Sequence, residues 1–415
     1  MDKNRKKPEL LIPAGGLETL RVAVDYGADA VYIGGEAFGL RAMADNFSFE
    51  DMEEAVRYTH ENGVKLYVTA NIYAHNEDIK KAASYFEKLR DLEVDAVLIS
   101  DAGLFSIAKP ILEGGKTEIH ISTQANNTNY ATYHFWKNMG ATRVVAAREL
   151  SLKELREIRD NIPDDLEIEA FVHGAMCISY SGRCLLSNYF TGRDANRGAC
   201  THPCRWKYAV VEETRPGEYL PVNEDERGTY IFNSKDLMMV DKIPDLVEAG
   251  ISSLKVEGRM KTNLYVAAAA RTYREAIDDY FKSPELYASK IEHYIEEISA
   301  CTMRDFTRGF YYGKPSQEDQ IYDNNTYIRN ATYMGLIEEV GDGFITLTQK
   351  NKFSVGDKLE LMNQDGTNTE LTVTGIEDEY GRPMESAPHP KQKVKVYVNS
   401  ASEADIKPGL ILRMR

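Results

Sequence analysis

Along the first two-thirds of the chain, short runs of β-branched and aliphatic residues alternate with longer stretches whose apolar positions recur every three or four residues. The first pattern suits a strand buried on both faces and the second an amphipathic helix. Their alternation therefore predicts βα units around a parallel sheet. The predicted strands are 10–13, 30–33, 65–69, 96–100, 118–122, 143–146, 167–172 and 253–256, with helices such as 49–62 and 77–92 between them. Gly63 and Gly140 follow helical stretches where C-terminal cap glycines belong. Eight strands with no hairpin partner favour a closed, TIM-like (β/α)8 barrel. An open doubly wound sheet fits the same spacing.

Two departures from the rhythm carry information. After the seventh strand a long insertion, 173–235, delays the next helix near 244–248. Such insertions fall on the C-terminal face of a barrel, where active sites are built. After the eighth strand come two predicted helices, 263–281 and 284–298. The texture then changes to short alternating strands, 334–339, 344–347, 358–362, 369–376, 393–397 and 410–413, with turn signals at Val355-Gly356-Asp357 and Lys407-Pro408-Gly409. The predicted division is a barrel catalytic domain over 1–305 and a small all-β barrel over 306–415. That second unit reads equally as a structural lid or dimer element and as a substrate-docking module.

The length of 415 residues is too great for one ordinary core, which agrees with two domains. A hydrophobic fraction of 43% and a charged fraction of 28% are those of a globular protein. There is no apolar stretch of membrane-spanning length and no export signal before the first strand, so a cytoplasmic location is expected. There thiols stay reduced, and clustered cysteines read as metal-binding or catalytic. The net charge of −15 argues against a general nucleic-acid binder but not against a local basic patch.

The cysteines run Cys177-x6-Cys184-x15-Cys200-x3-Cys204. Four soft anionic ligands on one loop suit either a tetrahedral zinc or an iron–sulfur cubane. Zinc ribbons pair their ligands tightly, and here only the last pair is tight, so the spacing leans towards a cluster with zinc as the alternative. Cys301 stands apart on a helical stretch and reads as a core residue.

The stretch Glu169-Ala-Phe171-Val-His173-Gly174-Ala175-Met176-Cys177-x4-Gly182-Arg183-Cys184-Leu-Leu-Ser187 resembles the signature of the U32 "peptidase" or collagenase-like family. Pro13-Ala-Gly15-Gly16, Tyr32-Ile-Gly34-Gly35, Arg148-Glu149-Leu150-Ser151, Asn233-Ser-Lys235-Asp236-Leu237 and Lys255-Val-Glu257-Gly258-Arg259-Met260-Lys261 are similar to the same family. The resemblance covers the chain to about residue 280, and the β tail is similar to the family's C-terminal domain. It implies RNA hydroxylation, notably prephenate-dependent formation of 5-hydroxyuridine at the tRNA wobble position, and a 4Fe–4S cluster on the four cysteines. Relatives that hydroxylate ribosomal RNA, and relatives that work as complexes of two family members, keep those readings open, as well as a homo-oligomer.

A peptidase needs an activated nucleophile or a metal-bound water. The chain has no His-Glu-x-x-His and no Gly-x-Ser-x-Gly, so the metal-dependent peptidase reading rests on the family's inherited name. A hydroxylase using prephenate must instead hold a small dicarboxylate, for which arginine forks are suited. Arg148 and Arg259 fall at predicted strand ends, with Arg41 and Lys255 as further candidates and Asn71, Ser122 and Gln124 as orienting polar groups. Simple salt bridges to Glu149 or Glu257 are the bland alternative. His173, Asp236 and Glu257 are the candidate acid–base groups, His173 also as a donor to a cluster sulfur or as a structural residue. Between 183 and 207, Arg183, Arg193, Arg197, Arg205 and Lys207 face only Asp194, interleaved with Tyr189, Phe190, Trp206 and Tyr208. That composition suits phosphate contact and stacking of an unpaired base, or neutralisation of an anionic thiolate centre. An anticodon-loop base is already unpaired, which lowers the cost of reaching it.

Overall fold

The computed structural model describes residues 6–39, 46–177, 179–180, 183–206, 209–210, 220–221, 233–301, 305–315, 320–321, 330–400 and 406–415. Eight parallel strands form the first unit: β1 (Glu9–Pro13), β2 (Ala30–Gly34), β3 (Lys65–Ala70), β4 (Ala96–Ile99), β5 (Glu118–Ile121), β6 (Arg143–Val145), β7 (Glu167–Ala175) and β8 (Ser253–Val256). Ser253 pairs in parallel with Glu9 on one side and with Glu169 on the other, so the sheet closes on itself. That closure excludes the open sheet. Strands sealed by helices outside and side chains inside are apolar on both faces, which is why all of Ala30–Gly34 is buried.

The helices of the barrel are α1 (Leu17–Asp25), α2 (Phe49–Glu61), α3 (Asn76–Asp91), α4 (Ala102–Leu112), α5 (Tyr130–Met139) and α6 (Leu152–Asp160). After β7 come a short α7 (Leu186–Thr191), α8 (Ile243–Glu248) and the long α9 (Asn263–Lys282). Several start on side-chain caps that fix where the top-face loops end. Ser48 and Ser151 form capping boxes with Asp51 and Glu154, and Asp101, Asn129 and Thr262 cap singly. The predicted helix 284–298 is broken. Lys290 leaves the helical region between α10 (Pro284–Ser289) and α11 (Ile291–Ser299), and its ammonium pairs with Glu275 at 3.0 Å and Asp279 at 2.8 Å on α9.

The predicted domain boundary also moves. Phe306–Thr307 pairs with Asp236–Leu237, and strand Asp236–Met238 pairs antiparallel with His173–Ala175 at the end of β7. Residues 306–307 therefore extend the barrel sheet rather than opening the β unit. The six main strands of that unit are β9 (Thr332–Gly341), β10 (Phe344–Thr348), β11 (Lys358–Met362), β12 (Asn368–Asp378), β13 (Lys393–Ser400) and β14 (Ile411–Met414). They close an antiparallel barrel in the order β11-β14-β9-β10-β13-β12, with β12 returning to β11.

The two units are stapled by buried charge. Glu297 on α11 accepts from Arg271 of α9 at 2.5 Å and from Arg413 of β14 at 2.8 Å, and Arg413 also reaches Glu360 at 2.5 Å. Burial alone would raise the Glu297 carboxyl, but Arg413, Arg271 and Arg415 outweigh it and bring it to about 2. Beside them the Tyr26 hydroxyl donates to Met362 O at 2.8 Å and accepts from Ile411 N at 3.0 Å. Cys301 is buried beneath this staple, where desolvation pushes its thiol up to about 12, as befits a core residue. Among the described residues no helix is long and apolar enough to cross a membrane.

Candidate active site at the barrel mouth

The C-terminal ends of the strands enclose a cavity of about 470 Å³, counted to its open mouth. Arg148, Lys255, Arg259 and Glu257 supply its charges, so three cations face one carboxylate. Asn71, Ser122, Gln124, Tyr32 and Phe171 complete the lining. Sequence reasoning placed Arg148, Arg259, Asn71, Ser122 and Gln124 at strand ends and named Lys255 and Glu257 as further candidates, and one cavity gathers all seven. Arg41 lies outside the described residues.

Each cation is held by its surroundings. The Arg148 guanidinium lies 4.0 Å over the Phe171 ring, donates to Ala175 O at 3.1 Å and reaches Glu257 at 3.5 Å. Arg259 is threaded through two glycines. A Cβ on Gly34 would stand 1.6 Å from its Nη1, and one on Gly15 would stand 2.2 Å from its carbonyl oxygen. This close approach explains the glycines of Tyr32-Ile-Gly34-Gly35 and Pro13-Ala-Gly15-Gly16 in physical terms. Lys255 is fully buried, its Nζ 2.6 Å from Glu169 and 4.4 Å from the Tyr32 ring centre. Burial pulls its pKa down, and Glu169 opposes that pull.

Polar atoms around the cavity lack protein partners. Asn71 Nδ2 donates to Ser122 Oγ at 3.1 Å, yet Asn71 Oδ1, Gln124 Oε1 and Arg148 Nε have no hydrogen-bond partner among the described residues. Buried polar atoms left in this state are what a bound polar ligand would satisfy.

Two of the three predicted acid–base groups stand elsewhere. His173 follows a register shift on β7 and packs with ring-centre distances of 5.7 Å to Tyr265, 5.6 Å to Tyr273 and 5.9 Å to Phe306. Burial, with Lys261 assisting, drives its pKa down to about 3, so it is neutral at physiological pH. Its carbonyl accepts Glu257 N–H at 2.9 Å, which makes it a wall behind the cavity. Asp236 is buried in the strand paired with Ala175 and likewise does not line the cavity. Glu257 is the one that does.

The cysteine loop sits on the rim. Its Asn196 carbonyl accepts Tyr73 N–H at 3.4 Å, and Arg197 forms a fork to Asp78 at 2.9 and 3.1 Å, which also lowers the Asp78 pKa. The Tyr73 hydroxyl donates to the backbone of Gln124, a cavity residue, so one side chain links loop and cavity. Inside the loop, Thr201 bonds Ser187 at 3.1 Å and Thr191 at 3.2 Å, which draws the Cys184 and Cys200 segments together. None of the four cysteines is in a disulfide. Burial raises the Cys184 pKa, N–H groups of Leu186 and Ser187 counter it, and the Cys177 and Cys200 sulfurs are close enough to raise it further. Cys200 Sγ accepts His202 N–H at 3.4 Å. Among the described residues no three His, Cys, Asp or Glu side chains form a ready-made metal-holding group. What fits a thiolate-bound centre is the donor set: four cysteines on one loop outside any disulfide, neighbouring sulfurs, and backbone N–H groups aimed at sulfur.

Of the predicted RNA contacts, Arg183 and Arg193 are exposed, whereas Arg197 is spent on Asp78. Lys207 and the Arg205 side chain lie outside the described residues. Tyr189 is 82% exposed, Phe190 43% and Trp206 46%, and their rings touch in series at 5.2 and 6.3 Å. The sequence reading missed Glu169 as a supporting group. Its signal was a second carboxylate two residues into the strand, in phase with Glu167 and Phe171.

Fold and site together define a (β/α)8 barrel with a cationic ligand cavity at its mouth and a four-cysteine loop on its rim. The chain belongs to peptidase family U32: the family's profile matches residues 15–321, and that of the peptidase family U32 C-terminal domain matches residues 329–413. The chain is 41% identical to tRNA hydroxylation protein P1 of Bacillus subtilis, over 94% of this chain and 92% of that protein. It is 39% identical to tRNA hydroxylation protein P of Escherichia coli, over 92% of each. It is also 31% identical to the E. coli 23S rRNA 5-hydroxycytidine C2501 synthase, over 85% of this chain but 52% of that protein.

Proposed function

We propose that this protein is an RNA hydroxylase, that its substrate is tRNA, and that it converts the wobble uridine to 5-hydroxyuridine with prephenate as hydroxyl donor. The RNA hydroxylase reading is supported by relatives named for tRNA hydroxylation that match the chain nearly end to end. The observation that carries the site is the cavity in which Arg148, Lys255 and Arg259 converge. Three cations with one carboxylate suit a small dicarboxylic acid such as prephenate, which would be held by guanidinium forks and a buried ammonium.

Asn71 Oδ1, Gln124 Oε1 and Arg148 Nε would complete their hydrogen bonding on the ligand and fix its orientation. Glu257, held by Arg148 at 3.5 Å, is the group in the cavity able to exchange a proton with the reacting molecules. Cys177, Cys184, Cys200 and Cys204 would hold a 4Fe–4S cluster on the rim, which supplies one-electron redox chemistry when bound. Tyr189, Phe190 and Trp206 would offer a stacking surface for unpaired bases, and the exposed Arg183 and Arg193 would meet phosphates.

A peptidase mechanism finds no support in the cavity. Ser122 Oγ is engaged by Asn71 and by the Gln124 N–H, and among the lining residues there is no histidine or cysteine to activate it. The test is mass spectrometry of nucleosides from cells lacking the gene. Loss of 5-hydroxyuridine and its derivatives supports the proposal. Unchanged tRNA with an altered ribosomal nucleoside moves the substrate to ribosomal RNA. Restoration of the product by purified protein only when a second family member is added would make this chain one subunit of a pair.

A further inference from the structure

The interior of a (β/α)8 barrel is ordinarily filled by layers of branched apolar side chains. Here it carries a ladder of charge. At the N-terminal end Glu9 accepts from Arg143 at 2.6 Å, from the Tyr67 hydroxyl at 2.7 Å and from Ser253 Oγ at 2.9 Å. Arg143 reaches up to Glu169 at 3.3 Å, and Glu169 takes the Lys255 ammonium at 2.6 Å. Arg143, Glu169 and Lys255 are each at most 3% exposed, and β1, β6, β7 and β8 each contribute a rung. Lys255 is the top rung and the one that lines the mouth cavity.

Stability alone gives no reason for such a ladder, because well-packed apolar residues commonly replace buried ion pairs without loss. Its geometry does have a consequence at the mouth. A lysine buried over the rings of Tyr32 and Phe171, at 4.4 and 5.4 Å, is largely withdrawn from the solvent that would otherwise hold its charge. Glu169 occupies one of its three N–H donors from below and leaves the others for whatever enters the cavity. The other charged groups around Lys255 are Arg143 within the barrel, Glu257 two residues along the chain, and Arg148 and Arg259 across the mouth.

We propose that Glu169 is a positioning residue: from inside the barrel it fixes the Lys255 ammonium as a cation at the floor of the mouth cavity, and so sets the cavity's hold on anionic ligands. This rests on the reading that the cavity binds a small carboxylic acid. It assigns the ladder beneath, anchored by Arg143 and Glu9, to the site rather than to the fold alone.

The experiment is calorimetric titration of the full chain with prephenate and with malonate, a generic dicarboxylate, across a pH series. Glu169→Gln is expected to weaken both by about tenfold, the scale of one charge-assisted hydrogen bond. The loss should grow as pH rises, because the unsupported ammonium gives up its proton. Lys255→Met is expected to remove that pH dependence, and Glu169→Gln added to Lys255→Met should weaken binding no further. Glu169→Asp, which keeps the charge but withdraws it, gives a smaller loss in the same direction and carries the test where Glu169→Gln does not fold. Wild-type affinity and pH profile in these Glu169 variants would overturn the proposal. So would an equal loss in the Lys255→Met background, which would mark Glu169 as merely structural. Malonate binding without prephenate binding would instead remove prephenate as donor while leaving Glu169's role standing.

Discussion

Replacing Gly34 with alanine separates the site from the fold. The added Cβ would stand 1.6 Å from Arg259 Nη1 and 2.7 Å from its Cζ. Non-bonded carbons settle at about 3.5–4 Å, so the guanidinium must retreat by about 2 Å. Gly34 lies outside the left-handed region, so alanine meets no backbone strain, and the atoms it strikes are the far end of a long side chain rather than backbone. The fold therefore adjusts at a cost of about 1–3 kcal/mol, in the range of ordinary overpacking. The cavity fares worse, because an arginine moved by that distance no longer reaches its ligand. A lost charge-assisted hydrogen bond costs about 1.5–3 kcal/mol, or about 10- to 100-fold in affinity. Calorimetric titration with prephenate measures this, with thermal melting and circular dichroism to verify the fold. Gly34→Ala and Arg259→Ala should weaken binding by similar factors, and the double variant by no more than either. A well-folded Gly34→Ala protein with unaltered affinity would refute Arg259 as an anion contact.

Two further outcomes follow from the structure. Glu297→Gln leaves Arg271 and Arg413 buried without their carboxylate and should destabilise the protein by about 3–5 kcal/mol in denaturant melts. Because the Glu297 carboxyl falls from the usual 4.5 to about 2, its contribution is complete above pH 4.5 and fades as pH drops towards 2. Acid unfolding of the variant should therefore lack that segment of pH dependence, and an unchanged acid profile would sink the staple. Cys184→Ser should lower both iron and acid-labile sulfide in anaerobically purified protein, whereas Cys301→Ser should change neither. Zinc in place of iron in the wild type would overturn the cluster assignment.

The barrel was legible because its strands announce themselves by composition, and each of the eight predicted strands falls on an observed one. Closure was not, since the pairing of Ser253 with both Glu9 and Glu169 joins residues far apart in sequence. The break at Lys290 was hidden for a similar reason: the ammonium is drawn to Glu275 and Asp279 of another helix. In the site, Arg148, Arg259, Asn71, Ser122 and Gln124, read from strand-end position, meet the nearby Lys255 in one cavity. The role of His173 was left open between donor and structural residue, and only the structure shows a register shift after Phe171 and the ring packed against Tyr265 and Tyr273. Charge composition could nominate Arg197 for RNA, but only three dimensions show it clasping Asp78.

The measurement that bears most directly on the account is product formation by the purified protein. Anaerobically prepared protein is incubated with prephenate and with tRNA from a host lacking the modification, and the nucleosides are analysed by mass spectrometry. The account predicts a uridine carrying one added oxygen at the wobble position, formed only with prephenate present and lost in Arg148→Ala and Arg259→Ala. Formation of that product without prephenate, or its undiminished formation by both arginine variants, would contradict it.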